Sequence, residues 1–333
     1  MIDLIVYVFS TALIVSFLSS LLLIKLFKSI GHVGLDVHKP CRVEVAESVG
    51  LSIMFSLIVS SILVYIYGFR VEALAFTISI ILAGSIGLLD DFLVLRARYK
   101  ILLGIIPSIP IIALGVYEPR PLIPLDGLAR LTIVYPLLLP IVYTISTNGF
   151  NMYDTHNGVM LASALIMALA MVFAGYIQYS AGFEESINAI ILGIALLGAI
   201  IGLLYFNLYP AKAFNGDVGS FTIGAAIASI AIIGRVEAIA LIAGLPIALN
   251  GFLKVSTIGF VERRGFERPV YMDGWIIKPK ISHRAPLSLP VLLTSRVPLS
   301  EPELVIAEIW LIWFTSILSL ITLYITLARL VMI

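Results

Sequence analysis

Four separated segments of the sequence carry acidic, amide and basic side chains of the kind that bind phosphate groups and divalent cations. The first reads GLLDDFLVLRARYK and ends at Lys100. Residues four apart share one helix face, so Arg96 and Lys100 can lie together, whereas Asp90 and Asp91 point about 100° apart. This composition suits a phosphate held by cations beside a carboxylate. Taken alone, it is equally compatible with an ordinary charged helix end.

The second segment reads NGFNMYDTHNG from Asn148 to Gly158 and repeats a polar residue at every third position. On an α-helix, side chains three residues apart differ in direction by about 60°. Asn148, Asn151 and Asp154 can therefore converge on one site. Asn157 can reach the same site only if the helix breaks or tightens into a 3₁₀ turn, which Gly158 permits. Carboxylate and amide oxygens suit a hard cation such as Mg²⁺, and amides also suit base or sugar recognition. An Asn-rich turn between helices is the alternative.

The third segment reads FNLYPAKAFNGDVGS from Phe206 to Ser220. Glycines flank Asp217 where a helix is predicted to start. Asp217 is therefore either a helix cap, worth about 1 kcal/mol, or a carboxylate metal ligand. In the second case the helix N–H groups and the glycine backbone would be open to anions.

The fourth segment lies in a long polar loop, 259–304, and contains His283 and Arg284 within the run SHRAP. Arginine offers a planar fork for phosphate or carbonyl oxygens. Glu47, in the first polar loop, precedes a predicted helix start. Each of these two motifs is by itself compatible with an ordinary charged loop or helix start.

The elements that must position these residues are membrane helices. Of the 333 residues, 60% are hydrophobic and 12% are charged, whereas soluble domains are about 25% charged. Because lipid offers no water to unpaired backbone groups, each apolar run should be a helix. We predict an all-α polytopic membrane protein that forms a single domain over 1–333. It has about ten spans, with approximate limits 3–27, 49–67, 72–90, 101–117, 131–148, 158–177, 187–205, 217–234, 236–257 and 307–331.

The distribution of charge predicts the orientation. Sixteen of the 21 Lys and Arg residues fall in one set of alternate loops and five in the other. The positive-inside rule places the first set in the cytoplasm, with loop 259–304 before the last helix, and both termini outside the plasma membrane. The net charge of +1 argues against a nucleic-acid partner, and the single cysteine, Cys41, provides no disulfide framework.

All four polar segments fall on the predicted cytoplasmic face, where a water-soluble phosphate donor and a membrane lipid can meet. This arrangement favours an enzyme that transfers a group between them. A transporter or lipid flippase is the alternative from another class, because it also buries polar groups in helices. A transporter should place them near the midplane on broken, repeated helices, and no repeat is evident in the sequence.

In order and spacing the four segments resemble the polyprenyl-phosphate N-acetylhexosamine-1-phosphate transferases, over nearly the whole chain. The run LRARYK, the pair Glu47-Ser48 and the His-Arg-x-Pro motif are similar to the branch that acts on dolichyl phosphate. The bacterial branch of peptidoglycan synthesis usually has three histidines in the last loop, where only His283 stands here. Asp154 resembles the bacterial pattern, and Thr155 replaces a glycine that either branch favours. The mixture suggests an archaeal enzyme.

The resemblance implies Mg²⁺, with Mn²⁺ as a substitute, bound by Asn151 and Asp217. It implies uracil stacking on Phe214 and uridine contact from Asn157. The predicted catalytic residues around the phosphates are Asp90, Asp91 and Lys100, with the roles of the two aspartates left open. The predicted substrate-binding residues are Glu47, Arg96, Asn148, Asp154, Asn157, Phe214, His283 and Arg284.

The implied reaction transfers GlcNAc-1-phosphate from UDP-GlcNAc to polyprenyl or dolichyl phosphate and releases UMP. Phospho-MurNAc-pentapeptide or another UDP-HexNAc remains the alternative donor. The expected partners are these substrates and membrane lipid, and a homodimer is left open.

The orientation can be tested by cysteine labelling on intact cells with a reagent that does not cross membranes. We expect a cysteine placed at position 278 to stay unlabelled and a tag after residue 333 to be reached. The reverse pattern would overturn both the orientation and a cytoplasmic donor.

Overall fold

The computed structural model describes residues 2–39, 41, 43–259 and 267–332. Helices dominate this part of the chain and confirm the all-α class. They are α1 (Ile2–Ser29), α2 (Leu51–Ile66), α3 (Arg70–Leu93), α4 (Ala97–Leu103), α5 (Ile109–Leu114), α6 (Val134–Tyr153), α7 (Val159–Ser180), α8 (Ile187–Asn207), α9 (Gly216–Ile233), α10 (Glu237–Ala243), α11 (Leu245–Ile258), α12 (Leu289–Thr294) and α13 (Glu301–Met332).

Each of the ten predicted spans overlaps a helix, but the count of ten is not confirmed. Among the described residues, seven helical segments are long and apolar enough to cross a membrane, and α10 with α11, bent by 59°, makes an eighth. The remaining two predicted spans fall on α2, which has 16 residues, and on α6, whose apolar run is interrupted by Asn148 and Asn151. The chain is an integral membrane protein by these features.

The most buried helix, α9, is the centre of the bundle and packs against α3 and α6. Glycines allow its first turn to be approached closely by two neighbours. A Cβ atom on Gly87 of α3 would lie 2.3 Å from the carbonyl oxygen of Asp217. A Cβ atom on Gly50, before α2, would lie 2.3 Å from the Cα atom of Gly219. The absence of side chains at Gly50 and Gly87 therefore brings α2 and α3 onto the start of α9.

A hairpin formed by β1 (Val33–Asp36) and β2 (Val43–Ala46) follows α1. Its second strand is joined to the loop before α9, because the Phe214 N–H donates to the Ala46 carbonyl at 2.8 Å. The Val49 N–H in turn donates to the Phe214 carbonyl at 2.9 Å. The first polar loop and the third motif are thereby fixed side by side.

Short strands also occur elsewhere between helices. A two-stranded pair, β3 (Leu122–Ile123) with β4 (Gly127–Leu128), precedes α6. In the predicted loop 259–304, residues 260–266 lie outside the described residues, and the rest contains α12 and a three-stranded antiparallel sheet. The sheet consists of β5 (Val270–Asp273), β6 (Ile276–Pro279) and β7 (Leu299–Ser300). It has a small core of its own, made by Val270, Ile277, Val291 and Leu304.

Candidate active site

Three of the four motifs meet at the carboxylate of Asp217, in the first turn of α9. The amide nitrogen of Asn151, near the end of α6, donates to Asp217 Oδ1 at 2.6 Å. The ammonium of Lys100, on α4, donates to Asp217 Oδ2 at 2.8 Å. Asp217 is thus joined by direct hydrogen bonds to residues 66 and 117 positions away, as the shared face of the motifs predicts.

Lys100 also forms an ion pair with Asp90 at the end of α3. The other oxygen of Asp90 accepts the Leu95 N–H at 2.6 Å. This bond closes the turn after α3, where Val94 has a left-handed backbone with φ of 51°. The side chains of Asp90 and Lys100 are 2% and 11% exposed, so one ammonium compensates two largely buried carboxylates.

Asp91 has a different environment from Asp90. Its Oδ1 accepts the Asp217 N–H at 2.7 Å, and its Oδ2 accepts the Val218 N–H at 3.2 Å. A carboxylate from α3 therefore caps the positive end of α9. The side chain of Asp217 is therefore not the helix cap, which excludes one of the two alternatives for this residue. The expectation that these helix N–H groups are open to anions is wrong, because Asp91 occupies them.

The turn between α6 and α7 contains the break that the spacing requires. Helix α6 ends at Tyr153, and Gly158 adopts φ of 82° before α7 begins. Asp154 and Asn157 consequently leave the helix. Asp154 Oδ2 accepts from the amide of Asn215 at 3.0 Å. Burial raises the pKa of Asp154 to about 7, against the lowering effect of this hydrogen bond.

These groups line a cavity of about 540 Å³. Eight of the predicted site residues line it: Glu47, Asp90, Asp91, Asn151, Asp154, Asn157, Phe214 and Asp217. Lys100 contacts two of these carboxylates from the side. A cavity of this size accommodates a nucleotide-sized ligand, and its wall offers hydrogen-bond donors and acceptors together with the phenyl ring of Phe214.

Four predicted residues, all in the described part of the chain, do not line the cavity. The Asn148 amide donates to the Thr144 carbonyl of its own helix at 2.9 Å. Arg96 is exposed at the start of α4. His283 and Arg284 are exposed in the last loop. Substrate contacts from these four residues therefore remain predictions without support from the cavity geometry.

The sequence reasoning missed a second polar cluster on the cavity wall. Lys39 forms ion pairs with Asp36 at 3.1 Å and with Glu301 at the start of α13. Asp36 Oδ2 also accepts from the Asn157 amide at 2.9 Å. The sequence feature that indicates this cluster is the polar run Asp36-Val-His-Lys39 in the first polar loop.

Two histidines stack next to this cluster. The rings of His38 and His156 lie 4.4 Å apart between centroids, with an interplanar angle of 25°. Burial lowers the pKa of His38 to about 4 and that of His156 well below its usual value. Both rings are therefore neutral at pH 7.

Two groups of residues offer oxygen or nitrogen atoms to a metal ion. Asp36, His38 and Glu301 have ligand atoms within 4.8 Å of one another. Lys39 contacts both carboxylates of that group, so positive charge is already present there. The carboxylates around Asp217 are contacted in the same way by the ammonium of Lys100, and Asn215, two residues before Asp217, has a buried amide oxygen without a hydrogen-bond partner among the described residues.

Comparisons with known proteins identify the family of this chain. Residues 73–235 match the family model for glycosyl transferase family 4. A relative from Sulfolobus acidocaldarius is 31% identical over 251 residues, which cover 73% of this chain and 75% of the relative. Its name proposes a UDP-N-acetylglucosamine–dolichyl-phosphate N-acetylglucosaminephosphotransferase.

Two further relatives extend the comparison. A proposed glycosyltransferase from Methanocaldococcus jannaschii is 28% identical over 314 residues, 91% of this chain and 92% of the relative. The phospho-N-acetylmuramoyl-pentapeptide-transferase of Clostridium botulinum is 33% identical over 184 residues, 52% of this chain and 55% of the relative.

Fold and site together define a polytopic membrane transferase. The chain belongs to glycosyl transferase family 4. The resemblance seen in the four motifs is thereby confirmed. The alternative of a transporter or flippase has no support among these relatives.

The capping role of Asp91 predicts how its variants behave. Asp91→Ala should lower stability by about 1–2 kcal/mol, because two helix N–H groups lose their acceptor. Asp91→Asn should cost less, since its amide oxygen still accepts one N–H. Thermal unfolding of the purified protein measures both, with Asp273→Ala as the control because Asp273 is exposed. An unchanged melting temperature in Asp91→Ala together with lost turnover would instead place Asp91 at the substrate.

Proposed function

We propose that this protein transfers GlcNAc-1-phosphate from UDP-GlcNAc to polyprenyl or dolichyl phosphate, as the first membrane step of lipid-linked oligosaccharide assembly for N-glycans. The observation that carries the proposal is the convergence of Lys100 and Asn151 on Asp217 at the wall of one cavity. Transfer of a phosphate-linked group depends mainly on positioning and on neutralising charge. The name of the Sulfolobus acidocaldarius relative supports the same donor and acceptor.

In the proposed reaction an oxygen of the polyprenyl phosphate attacks the β-phosphorus of UDP-GlcNAc. A bond forms between them, and the bond from the β-phosphorus to the oxygen shared with the α-phosphate breaks. UMP leaves with that oxygen, and GlcNAc-diphospho-polyprenol remains in the membrane. A phosphate monoester has a second pKa near ~6, so the acceptor is largely ionised at neutral pH and needs no strong base.

The two aspartates of the first motif fit positioning roles in this reaction. Asp91 is engaged by two N–H groups of α9, and Asp90 by Lys100 and the Leu95 N–H. Lys100 supplies positive charge at the place where the phosphates of both substrates would meet. These contacts favour orientation and charge compensation over proton abstraction, although they leave a final proton transfer to Asp90 open.

Mg²⁺ is the proposed cofactor, with Mn²⁺ as a substitute, and Asn151 and Asp217 would hold it. When bound, the ion neutralises charge on the donor pyrophosphate and on the leaving group. Of the two amide atoms of Asn151 only the oxygen is a metal ligand, and in this structure the nitrogen is the atom that faces Asp217. Phe214 and Asn157 line the same cavity and are the proposed contacts of the uridine.

The cavity is proposed to face the cytoplasm, where UDP-sugars are made, with both termini outside the plasma membrane. The excess of Lys and Arg in the loops on this side supports that orientation. The alternative donor is UDP-MurNAc-pentapeptide, which the Clostridium botulinum relative favours. The single histidine in the last loop favours UDP-GlcNAc.

The metal assignment predicts that Asp217→Asn and Asn151→Ala each reduce turnover by on the order of a hundredfold, because a ligand to a charge-neutralising cation is lost. UMP release from purified protein at increasing Mg²⁺ concentration measures the effect. Asp273→Asn is the matched control, because Asp273 is an exposed acid in the last loop. Full Mg²⁺-dependent activity in both variants would contradict the assignment.

The donor assignment predicts UMP release with UDP-GlcNAc when the protein is incubated with Mg²⁺, polyprenyl phosphate and a panel of UDP-sugars. Arg284→Lys should lose about tenfold to a hundredfold in rate if its planar fork contacts the donor, since lysine cannot reproduce paired N–H bonds. Turnover of UDP-MurNAc-pentapeptide but not UDP-GlcNAc would show that the branch is wrong. Unchanged activity in Arg284→Lys would leave Arg284 as an exposed loop charge.

A further inference from the structure

The cluster around Lys39 joins three segments that are far apart in the chain. Asp36 and Lys39 belong to the first polar loop, Asn157 to the turn between α6 and α7, and Glu301 to the start of α13. Glu301 directly follows β7, which pairs with β6. The cluster therefore connects the cavity wall to the sheet of the last loop.

All members of the cluster are buried. The side chains of Lys39, Asp36 and Glu301 are 8%, 4% and 2% exposed. The ammonium of Lys39 lies between the two carboxylates and 4.0 Å from the ring centroid of Tyr209. Burying charges is costly unless they are paired and hydrogen-bonded, so each partner constrains the position of the others.

Asn157 donates one hydrogen bond to each of the two carboxylates of the cluster. Its amide nitrogen donates to Asp36 Oδ2 at 2.9 Å, and its backbone N–H donates to Glu301 Oε1 at 3.0 Å. The side chain and the backbone of one cavity-lining residue are thus held by two different carboxylates. The next residue, Gly158, is held as well, because its N–H donates to Asn207 Oδ1 at 3.1 Å.

We propose that Lys39 and Glu301 are positioning residues that fix Asn157 in the donor site and couple the sheet of the last loop to it. The role in donor binding rests on the proposed function. Because the carboxylates orient the amide of Asn157, its oxygen and second N–H are presented in one fixed arrangement to the nucleotide. In this proposal the cluster therefore acts on the affinity for the UDP-sugar, because Asn157 is the proposed uridine contact.

Hydrogen exchange of the full-length protein in detergent tests the coupling without any substrate. Lys39→Met should raise exchange together in 33–39, 157–159 and 300–303, because all three lose a shared partner. Lys278→Met is the matched control, since Lys278 pairs with Asp273 on the exposed face of the same sheet. An increase confined to 33–39, or none, would overturn the coupling whether or not UDP-GlcNAc is the donor.

Kinetics test the role in donor binding. Glu301→Gln and Asn157→Ala should each raise KM for UDP-GlcNAc about tenfold, as expected for one lost charge-assisted contact, and leave KM for polyprenyl phosphate within about twofold. The double variant should be no worse than Asn157→Ala, because Glu301 acts through Asn157. Glu303→Gln is the control, since Glu303 is exposed two residues further along and bonds only Ser300 among the described residues.

Additive effects in the double variant, or equal rises in both KM values, would show a general structural role and overturn the positioning role. A parent enzyme that ignores UDP-GlcNAc would instead refute the proposed function. The hydrogen-exchange result would still decide whether Lys39 couples the three segments.

Discussion

The contact on which the rest of the site depends is the carboxylate of Asp91 on the first N–H groups of α9. It fixes the start of α9 against the end of α3, and it sets the direction of Asp217, whose own N–H is one of the two donors. Gly87 makes this contact accessible, because a side chain there would collide with the Asp217 carbonyl. The Asp217 carboxylate is thus placed by a backbone contact of its own residue with Asp91.

In two places at the cavity, one lysine ammonium bridges two carboxylates and an asparagine amide donates to one of them. Lys100 bridges Asp90 and Asp217, and Asn151 donates to Asp217. In the second cluster, Lys39 bridges Asp36 and Glu301, and Asn157 donates to Asp36. In each set two carboxylates share one ammonium, and this arrangement holds the members of the set in fixed relative positions. We propose that the set around Asp217 holds the metal ion and that the set around Lys39 orients Asn157.

Much of this could be predicted from sequence, for identifiable reasons. Long apolar runs in a chain with few charges permit little besides membrane helices, and the three-residue spacing of Asn151 and Asp154 places them together at a helix end. Asp36 and Glu301 could not be found in this way, because their partnership spans 265 positions and each is an ordinary acid in its own segment. Local periodicity carries no information about such pairs, nor about which acid caps α9.

We propose that Asp217, rather than the group formed by Asp36, His38 and Glu301, holds the divalent cation. Electron paramagnetic resonance of Mn²⁺ titrated into the purified protein with UDP present tests it directly. We expect saturable binding in the parent and in Glu301→Gln, and loss of that binding in Asp217→Asn. Binding that survives in Asp217→Asn but is lost in Glu301→Gln would contradict this assignment and place the metal at the other cluster.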